Sequence, residues 1–301
     1  MNIGKLSFSD IIKFGFDRRS ISFTAKTLFS LFLVSGIFAL LTSTLAAKVS
    51  AELVAAVEML GYLSLLAISL ILILGLYLFA KGSIAKTAKL NVWPAISALF
   101  WKELGALLIF TLSAAAIGIA AYWIGLLVKL PYAGNFLMAL LFLPAAVFFA
   151  LFGIYFIVGG KLLTAALVDK PRASAWQAVK TVWVISLKSP QKLAFNFVLS
   201  ALPILITALT VFLAIGLLAV VPYLAFGWAF PYYPILNYVT QLGFAGTLGT
   251  IISCALNLLN SVSLLPAVLI SLASSAILAY ALAWPLNVAA VAYYSIYLDA
   301  K

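Results

Sequence analysis

Few side chains in this 301-residue chain could do acid–base, nucleophilic or metal chemistry. It has no histidine, and its one cysteine, Cys254, can form neither an internal disulfide nor a multi-thiolate metal site. Hydrolysis by paired carboxylates, or a two-metal centre, needs acids that converge at depth. All seven acids are instead expected in loops or at membrane edges: Asp10, Asp17, Glu52, Glu58, Glu103, Asp169 and Asp299. The sequence therefore predicts no catalytic residue, no metal site and no cofactor, and we expect a protein that is not an enzyme.

Glu103 lies next to Lys102 at the start of a long apolar run. The simplest interpretation is an ion pair at a membrane boundary, with Lys86 or Lys89 nearby. We therefore expect Glu103 to be solvated and to have no part in a site.

A polar face inside the apolar C-terminal third is the second candidate for chemistry. Its four residues recur at helical spacing and so share one helix face: Ser253, Asn257, Asn260 and Ser261. Such a face favours hydrogen bonds between membrane helices. The alternative is that it lines a hydrated path or holds a lipid headgroup.

The basic residues are the third candidate, because the chain carries a net charge of +11. Lysine and arginine flank the apolar runs, which argues against a nucleic-acid-binding face and indicates membrane-orienting charge. Sixteen of the 18 lysine and arginine residues lie in four segments, at residues 1–26, 81–103, 161–192 and 299–301. The positive-inside rule then predicts a cell (cytoplasmic or inner) membrane protein with both termini in the cytoplasm.

The elements that position these residues are predicted to be membrane helices. The chain is 66% apolar and 8% charged, with a mean hydropathy of +1.23, against roughly 45–50% apolar and about 25% charged in soluble domains. Its apolar runs match the ~20 residues that one helical crossing needs. We predict an all-α, polytopic bundle forming a single membrane domain over residues 1–301. Its six crossings are expected at 21–47, 59–80, 104–128, 136–160, 193–221 and within 267–298.

The count of crossings is least constrained in the last third, because residues 193–298 contain no charged side chain. Prolines and aromatic residues at about 222–243 predict a helix break and an insert at the outer interface. Residues 243–265 then form a half-helix or a short hairpin, or they cross the membrane. A total of seven crossings therefore remains open.

Short amphipathic helices are predicted before the first, third and fifth crossings. Ser7 or Ser9, Asn91 and Ser174 are suitable N-caps, and Ser9, Asn91 and Ser174 are 82 and 83 residues apart. This spacing predicts three pseudo-repeated units, each an interfacial helix followed by a helical hairpin, at about 1–81, 82–161 and 162–301. The alternative is that any series of membrane hairpins with basic inner loops gives such spacing.

The helix after Ser174 shows the pattern most clearly. One face is expected to be buried and carries Ala175, Val179, Val182, Trp183 and Ser186, whereas the opposite face carries Gln177, Lys180, Thr181 and Lys188. Basic interfacial residues of this kind meet anionic lipid headgroups and contribute about 1 kcal/mol per charge near the surface. The predicted headgroup contacts are Arg18, Arg19, Lys86, Lys89, Arg172, Lys180, Lys188 and Lys192.

Two stretches carry a resemblance to a known family. They are "AALVDKPRASAWQAVKTVW" at residues 165–183 and the closing "WPLNVAAVAYYSIYLDAK". This layout resembles the membrane domain attached to some glycerophosphoryl diester phosphodiesterases, and the related YciC-like inner-membrane proteins of unassigned function. The chain departs from the family pattern in its aromatic insert and in the Ala300-Lys301 ending. The resemblance implies a fold and a membrane setting, while the hydrolase activity belongs to a catalytic domain not recognised in these residues.

These patterns favour a non-enzymatic membrane protein that acts as a scaffold and binds lipids or protein partners through its basic helices. The alternative is a transporter, channel or lipid-moving protein that uses the face with Asn257 and Asn260. Membrane lipids are the expected partners, with a partner membrane protein or a second copy of the chain as further candidates. No nucleic acid is expected.

Overall fold

A computed structural model describes residues 2–46, 50–85, 91–128, 158–226 and 264–301, with a few isolated positions between 140 and 156. Most of the predicted fourth crossing lies outside these residues. So do two of the predicted headgroup contacts, Lys86 and Lys89, and the whole polar face of Ser253, Asn257, Asn260 and Ser261.

The described residues are almost entirely helical and begin with a short β-hairpin. The strands are β1 (Asn2–Ile3) and β2 (Leu6–Ser7), which pair antiparallel. The helices are α1 (Phe8–Gly15), α2 (Arg18–Ala46), α3 (Ala51–Ile84), α4 (Val92–Val128), α5 (residues 158–169), α6 (Ala175–Lys188), α7 (Pro190–Phe226) and α8 (Leu264–Ala300).

Five of the described helices are long and apolar enough to cross a bilayer, over Arg18–Thr42, Ala51–Ile84, Val92–Ala120, Pro190–Val211 and Ser275–Ala300. Large apolar side chains along them are exposed, including Leu41, Leu66, Leu112, Val198 and Leu209. Exposed apolar side chains in such number suit contact with lipid better than contact with water. The helical, multi-pass character predicted from the sequence is thus confirmed.

Two of the predicted helix starts are confirmed in atomic detail. Ser7 caps α1 and accepts a hydrogen bond from the backbone N–H of Asp10 at 3.2 Å. Ser174 caps α6 and accepts from the N–H of Gln177 at 3.2 Å, while the Gln177 side-chain oxygen accepts from the N–H of Ser174 at 3.0 Å. Both caps satisfy N–H groups that the first helical turn leaves without an intrahelical acceptor.

The helix predicted before the third crossing is continuous with that crossing. α4 begins directly after Asn91 and continues unbroken to Val128. Its one proline in this region, Pro94, lies in the first turn, where proline is tolerated. By contrast, Phe16 and Asp17 separate α1 from α2, and Ser189 separates α6 from α7.

α7 continues past Pro222 to Phe226, so the helix does not break at the first proline of the predicted insert. The rest of that insert, to about residue 243, lies outside the described residues.

The chain forms two compact units. The first comprises Met1–Ser20, Leu70–Leu205 and Leu286–Lys301, and the second comprises Ile21–Ser69 and Ile206–Pro285. Fully buried side chains fill the core of the first unit, among them Leu74, Leu99, Leu162, Leu163, Leu167 and Tyr297. In the second unit α2 and α3 approach closely at Gly61, where an added Cβ would lie 3.0 Å from Cγ of Phe38.

Ser295 of α8 holds the N-terminal hairpin within the first unit. Its hydroxyl donates to the carbonyl of Ile3 at 2.8 Å and accepts from the backbone N–H of Leu6 at 3.0 Å. One buried side chain therefore satisfies a backbone group on each strand. Gly4 forms the turn with φ of +66°, and a Cβ there would lie 2.5 Å from the carbonyl oxygen of Ser295. Glycine suits both the left-handed backbone and this close approach.

Replacing Ser295 with alanine should release the hairpin. The change leaves the Ile3 carbonyl and the Leu6 N–H without their buried partner, which should lower stability by about 1–2 kcal/mol. Hydrogen exchange at the Leu6 amide is the measurement, and it should accelerate. The matched control is Ser9→Ala on the exposed side of α1. Equal exchange at Leu6 in wild type and Ser295→Ala would contradict this role.

Candidate functional site

Helix α6 lies against α4 and buries one side. The buried residues are Ala178, Val179, Val182, Ile185 and Ser186. Small residues permit the approach, since a Cβ at Gly105 would be 3.5 Å from Cβ of Ala175 and one at Gly159 would be 3.0 Å from Cγ1 of Val182. The predicted buried face is confirmed at Val179, Val182 and Ser186, whereas Ala175 and Trp183 are only half-buried.

The opposite side of α6 is the α6 outer face, which we define as Trp176, Lys180, Val184, Leu187 and Lys188. All five are exposed, and the tryptophan has 62% of its surface free. The spacing of four, four and three residues from Trp176 to Leu187 places them on one helix side. Neither lysine forms an ion pair with any residue that the structure describes. The face thus combines two uncompensated charges with apolar side chains that are open to the surroundings.

The other predicted headgroup contacts have different settings. Arg172 is exposed in the link between α5 and α6, and Arg18 and Arg19 are exposed at the start of α2. Lys192 is instead paired with Asp299, whose Oδ2 is 2.9 Å from the lysine Nζ. Because that pairing offsets its charge, Lys192 is a weaker candidate for a headgroup contact than the sequence predicted.

A second ionic cluster joins α5 to the C-terminus. Oδ2 of Asp169 accepts from Nζ of Lys301 at 2.5 Å and from the hydroxyl of Tyr297 at 3.3 Å. Nζ of Lys81 donates to the carbonyls of Val168, at 2.8 Å, and Asp169, at 3.4 Å, at the end of α5. These bonds connect α3, α5 and α8. Nothing in the sequence pattern predicted them, because the partners are 87 to 132 residues apart.

Glu103 does not have the solvated boundary position that the sequence predicted. It is only 1% exposed and lies well inside α4. Its neighbour Lys102 does not pair with it, because the lysine Nζ donates to the carbonyl of Pro171 at 2.6 Å. Adjacent residues on a helix point about 100° apart, so the two side chains reach different surroundings.

One side chain of a neighbouring helix bonds the Glu103 carboxyl group. Thr164 of α5 donates its hydroxyl to Oε1 of Glu103 at 2.5 Å, and both residues are buried. The hydroxyl of Tyr77 in α3 donates to the carbonyl of Lys161 in α5. Oε2 of Glu103 has no hydrogen-bond partner within the described ranges.

The described residues therefore hold two candidate sites with different chemistry. The α6 outer face can bind an anionic, partly apolar surface. The Glu103 cluster is a buried carboxyl group with one hydrogen bond from Thr164, and no three His, Cys, Asp or Glu side chains come together in the part of the chain that the structure describes. Only the first was predicted from the sequence.

Comparisons with protein-family models, with curated proteins and with solved structures found no match. The resemblance to the phosphodiesterase membrane domain and to YciC-like proteins stays a prediction, so the function must be argued from the residues of the chain itself.

Proposed function

We propose that the protein is an integral protein of the cell membrane that binds anionic lipids at the cytoplasmic surface and serves there as a non-enzymatic scaffold. The α6 outer face is the observation that carries this proposal. Both termini lie in the cytoplasm, on the side where nearly all the cations gather. The resemblance to inner-membrane proteins supports the same setting.

The composition of the α6 outer face suits a membrane interface. Lys180 and Lys188 attract anionic headgroups, while Trp176, Val184 and Leu187 enter the boundary between headgroups and acyl chains. A lysine on such a face can keep its charge among headgroups while its carbon chain stays in apolar surroundings. On α4, which packs against α6, Trp101 is 73% exposed. Exposed tryptophan is typical of the headgroup level.

Replacing Lys180 and Lys188 together with glutamine should weaken binding of an anionic lipid such as phosphatidylglycerol by up to about 30-fold. Each charge near the surface contributes about 1 kcal/mol, and 1.4 kcal/mol corresponds to tenfold in affinity. Retention of lipid by the purified protein in native mass spectrometry measures the change. A parallel titration with zwitterionic phosphatidylcholine should give the same low retention for both proteins.

The matched control is the pair Lys5→Gln and Lys13→Gln, which removes two exposed charges outside α6. It should leave retention within about twofold of wild type, in line with the small effects of exposed charges away from a site. The proposal fails if the Lys180 and Lys188 variant retains anionic lipid like wild type. It also fails if the control pair reduces retention equally, because the effect would then follow net charge and not α6.

A further inference from the structure

Exposed aromatic side chains mark two levels along α4. Trp101 is exposed near its start, and Tyr122 and Trp123 are exposed near its end. Tryptophan and tyrosine concentrate at the two interfaces of a bilayer. The 21 residues from Trp101 to Tyr122 rise about 32 Å along a helix, which matches a hydrocarbon core of about 30 Å. This match places Trp101 at one boundary of the core, with the earlier turns of α4 in the headgroup layer.

Two contacts of α4 fix the level of the link between α5 and α6. Nζ of Lys102, the neighbour of Trp101, donates to the carbonyl of Pro171 at 2.6 Å. One turn after Trp101, a Cβ at Gly105 would lie 3.5 Å from Cβ of Ala175, the first residue of α6. The link and the start of α6 therefore lie at the headgroup level.

The link forms a turn that carries positive charge. The backbone N–H of Ala173 donates to the carbonyl of Lys170 at 2.9 Å, and Pro171 occupies the second position of this turn, where proline is favoured. Lys170 and Arg172 are exposed. The carbonyl of Pro171 positions the Lys102 ammonium without neutralising it, and two of the three ammonium N–H groups remain as donors. We define Lys102, Lys170 and Arg172 as the basic turn.

The charges of the basic turn are not neutralised by the chain. All seven acidic side chains of the sequence belong to the described residues, and none of them forms an ion pair with the basic turn. Asp169 precedes Lys170 in the sequence, but its carboxylate is paired with Lys301 at 2.5 Å. Like charges so close together repel each other, and an anion that binds among them relieves that repulsion. The basic turn thus offers three positive charges to a ligand.

A phosphate monoester matches these donors better than a diester does. At pH 7 a monoester carries a charge of about −1.5 to −2 and three terminal oxygens. A diester carries a single charge and two free oxygens. The guanidinium fork of Arg172 can bind two phosphate oxygens at once, and the lysines add point charges. The exposed Trp101 and Trp176 beside the basic turn suit the apolar boundary below the headgroups of a lipid.

We propose that the basic turn binds the headgroup of a phosphomonoester lipid, such as phosphatidic acid, in the cytoplasmic leaflet. Trp101 and Trp176 contact the glycerol and upper acyl-chain region of that lipid. This inference rests on the proposed function and adds a lipid class to it. The two separate lysines of the α6 outer face attract any anionic headgroup, whereas the basic turn selects the one with the higher charge.

The test compares retention of phosphatidic acid and phosphatidylglycerol by the detergent-purified protein in native mass spectrometry, at equal lipid concentration and pH 7. Wild type should retain phosphatidic acid at least about fivefold more strongly. Lys170→Gln combined with Arg172→Gln should reduce this ratio to within about twofold of one. Equal retention of the two lipids by wild type would overturn the inference, and so would an unchanged ratio in the double variant.

The variant with Lys180→Gln and Lys188→Gln separates this inference from the proposed function. It should weaken retention of both lipids by a similar factor and leave their ratio unchanged. If it leaves phosphatidylglycerol retention at the wild-type level, the proposed function fails. If it abolishes the preference for phosphatidic acid, the preference belongs to α6 and the inference about the basic turn fails. The exposed pair Lys5→Gln and Lys13→Gln should leave the ratio as in wild type.

Glycerol 3-phosphate distinguishes a lipid from a soluble phosphate monoester. It carries the same headgroup without acyl chains, so it cannot use the apolar contacts of Trp101 and Trp176. At a concentration equal to that of phosphatidic acid it should displace less than about a tenth of the bound lipid, because the lipid gains acyl-chain burial that the soluble compound lacks. Displacement of half of the lipid would overturn the assignment to a membrane lipid.

Discussion

Replacing Thr164 with valine is expected to lower the free energy of unfolding by about 3 kcal/mol. The substitution conserves volume but removes the hydroxyl that donates to Oε1 of Glu103. Both carboxylate oxygens are then buried without a partner among the described residues. The loss arises from a buried carboxyl group left without its hydrogen-bond partner, and it should therefore exceed the usual contribution of one hydrogen bond.

Adding Glu103→Leu to Thr164→Val should restore most of the lost stability. Replacing a buried polar pair by apolar side chains of similar volume is often neutral or stabilising. Unfolding in mixed detergent micelles, followed by tryptophan fluorescence, measures all four members of this double-mutant cycle. A double variant no more stable than Thr164→Val alone would show that the valine damages packing and not the carboxylate.

Thr210→Val is the matched control for this cycle. Its hydroxyl is exposed and donates only to the Ile206 carbonyl of its own helix, as far as the described residues show. The control should change stability by less than about 0.5 kcal/mol, as is usual at exposed positions. If Thr164→Val costs no more than Thr210→Val, Glu103 does not depend on Thr164.

The features that the sequence predicted correctly are local ones. A helix cap depends on residues three positions apart, as in Ser174 with Gln177, and a crossing depends on one uninterrupted apolar run. The chain segment contains all the information that such a feature needs. For this reason the starts of α1 and α6 agree with the predictions, and five of the predicted apolar runs lie in helices long and apolar enough to cross a bilayer.

Glu103 was misplaced because its immediate neighbour suggested an ion pair. A longer-range signal was nonetheless present. The buried side of α4 carries apolar residues three or four positions apart, and Glu103 occupies one position of that series: Ile96, Leu99, Glu103, Ala106 and Phe110. An acid on an apolar helical stripe is buried with the stripe. Its partner Thr164 is 61 residues away, and no spacing in the sequence links the two positions.

The N-terminal hairpin was missed for a different reason. Strands of two residues are too short to show alternation, and their hydrogen bonds reach Ser295, 289 and 292 residues away. The basic residues of this segment instead suggested membrane-orienting charge. Contacts between the two ends of the chain thus depend on tertiary packing, which a single sequence does not encode in any local pattern.

Gly15→Ala is expected to lower the free energy of unfolding by about 3 kcal/mol, although alanine is ordinarily the better helix former by about 1 kcal/mol. A Cβ at Gly15 would lie 2.5 Å from Cγ2, 2.8 Å from Cα and 3.0 Å from the backbone nitrogen of Val288. Two of these atoms belong to the backbone of α8, so no rotamer change relieves the overlap. α1 must therefore move away from α8.

Gly36→Ala in α2 separates the steric cost of an added Cβ from the gain in helix propensity. A Cβ at Gly36 would meet no atom of the described residues within 4 Å. That variant should gain about 0.5–1 kcal/mol from helix propensity alone. Thermal unfolding in one detergent compares the two substitutions directly. If Gly15→Ala is as stable as Gly36→Ala, the close approach of α1 to α8 does not persist in solution.

Val288→Ala should fail to rescue Gly15→Ala. Shortening the valine removes the Cγ2 contact but leaves Cα and the backbone nitrogen in place. The Gly15→Ala substitution should then cost nearly as much in the Val288→Ala background as in wild type, which gives a small coupling energy in the double-mutant cycle. A full rescue would mean that side chains set the separation of α1 and α8. Failure to rescue would mean that the two backbones touch at Gly15, and that only glycine fits there.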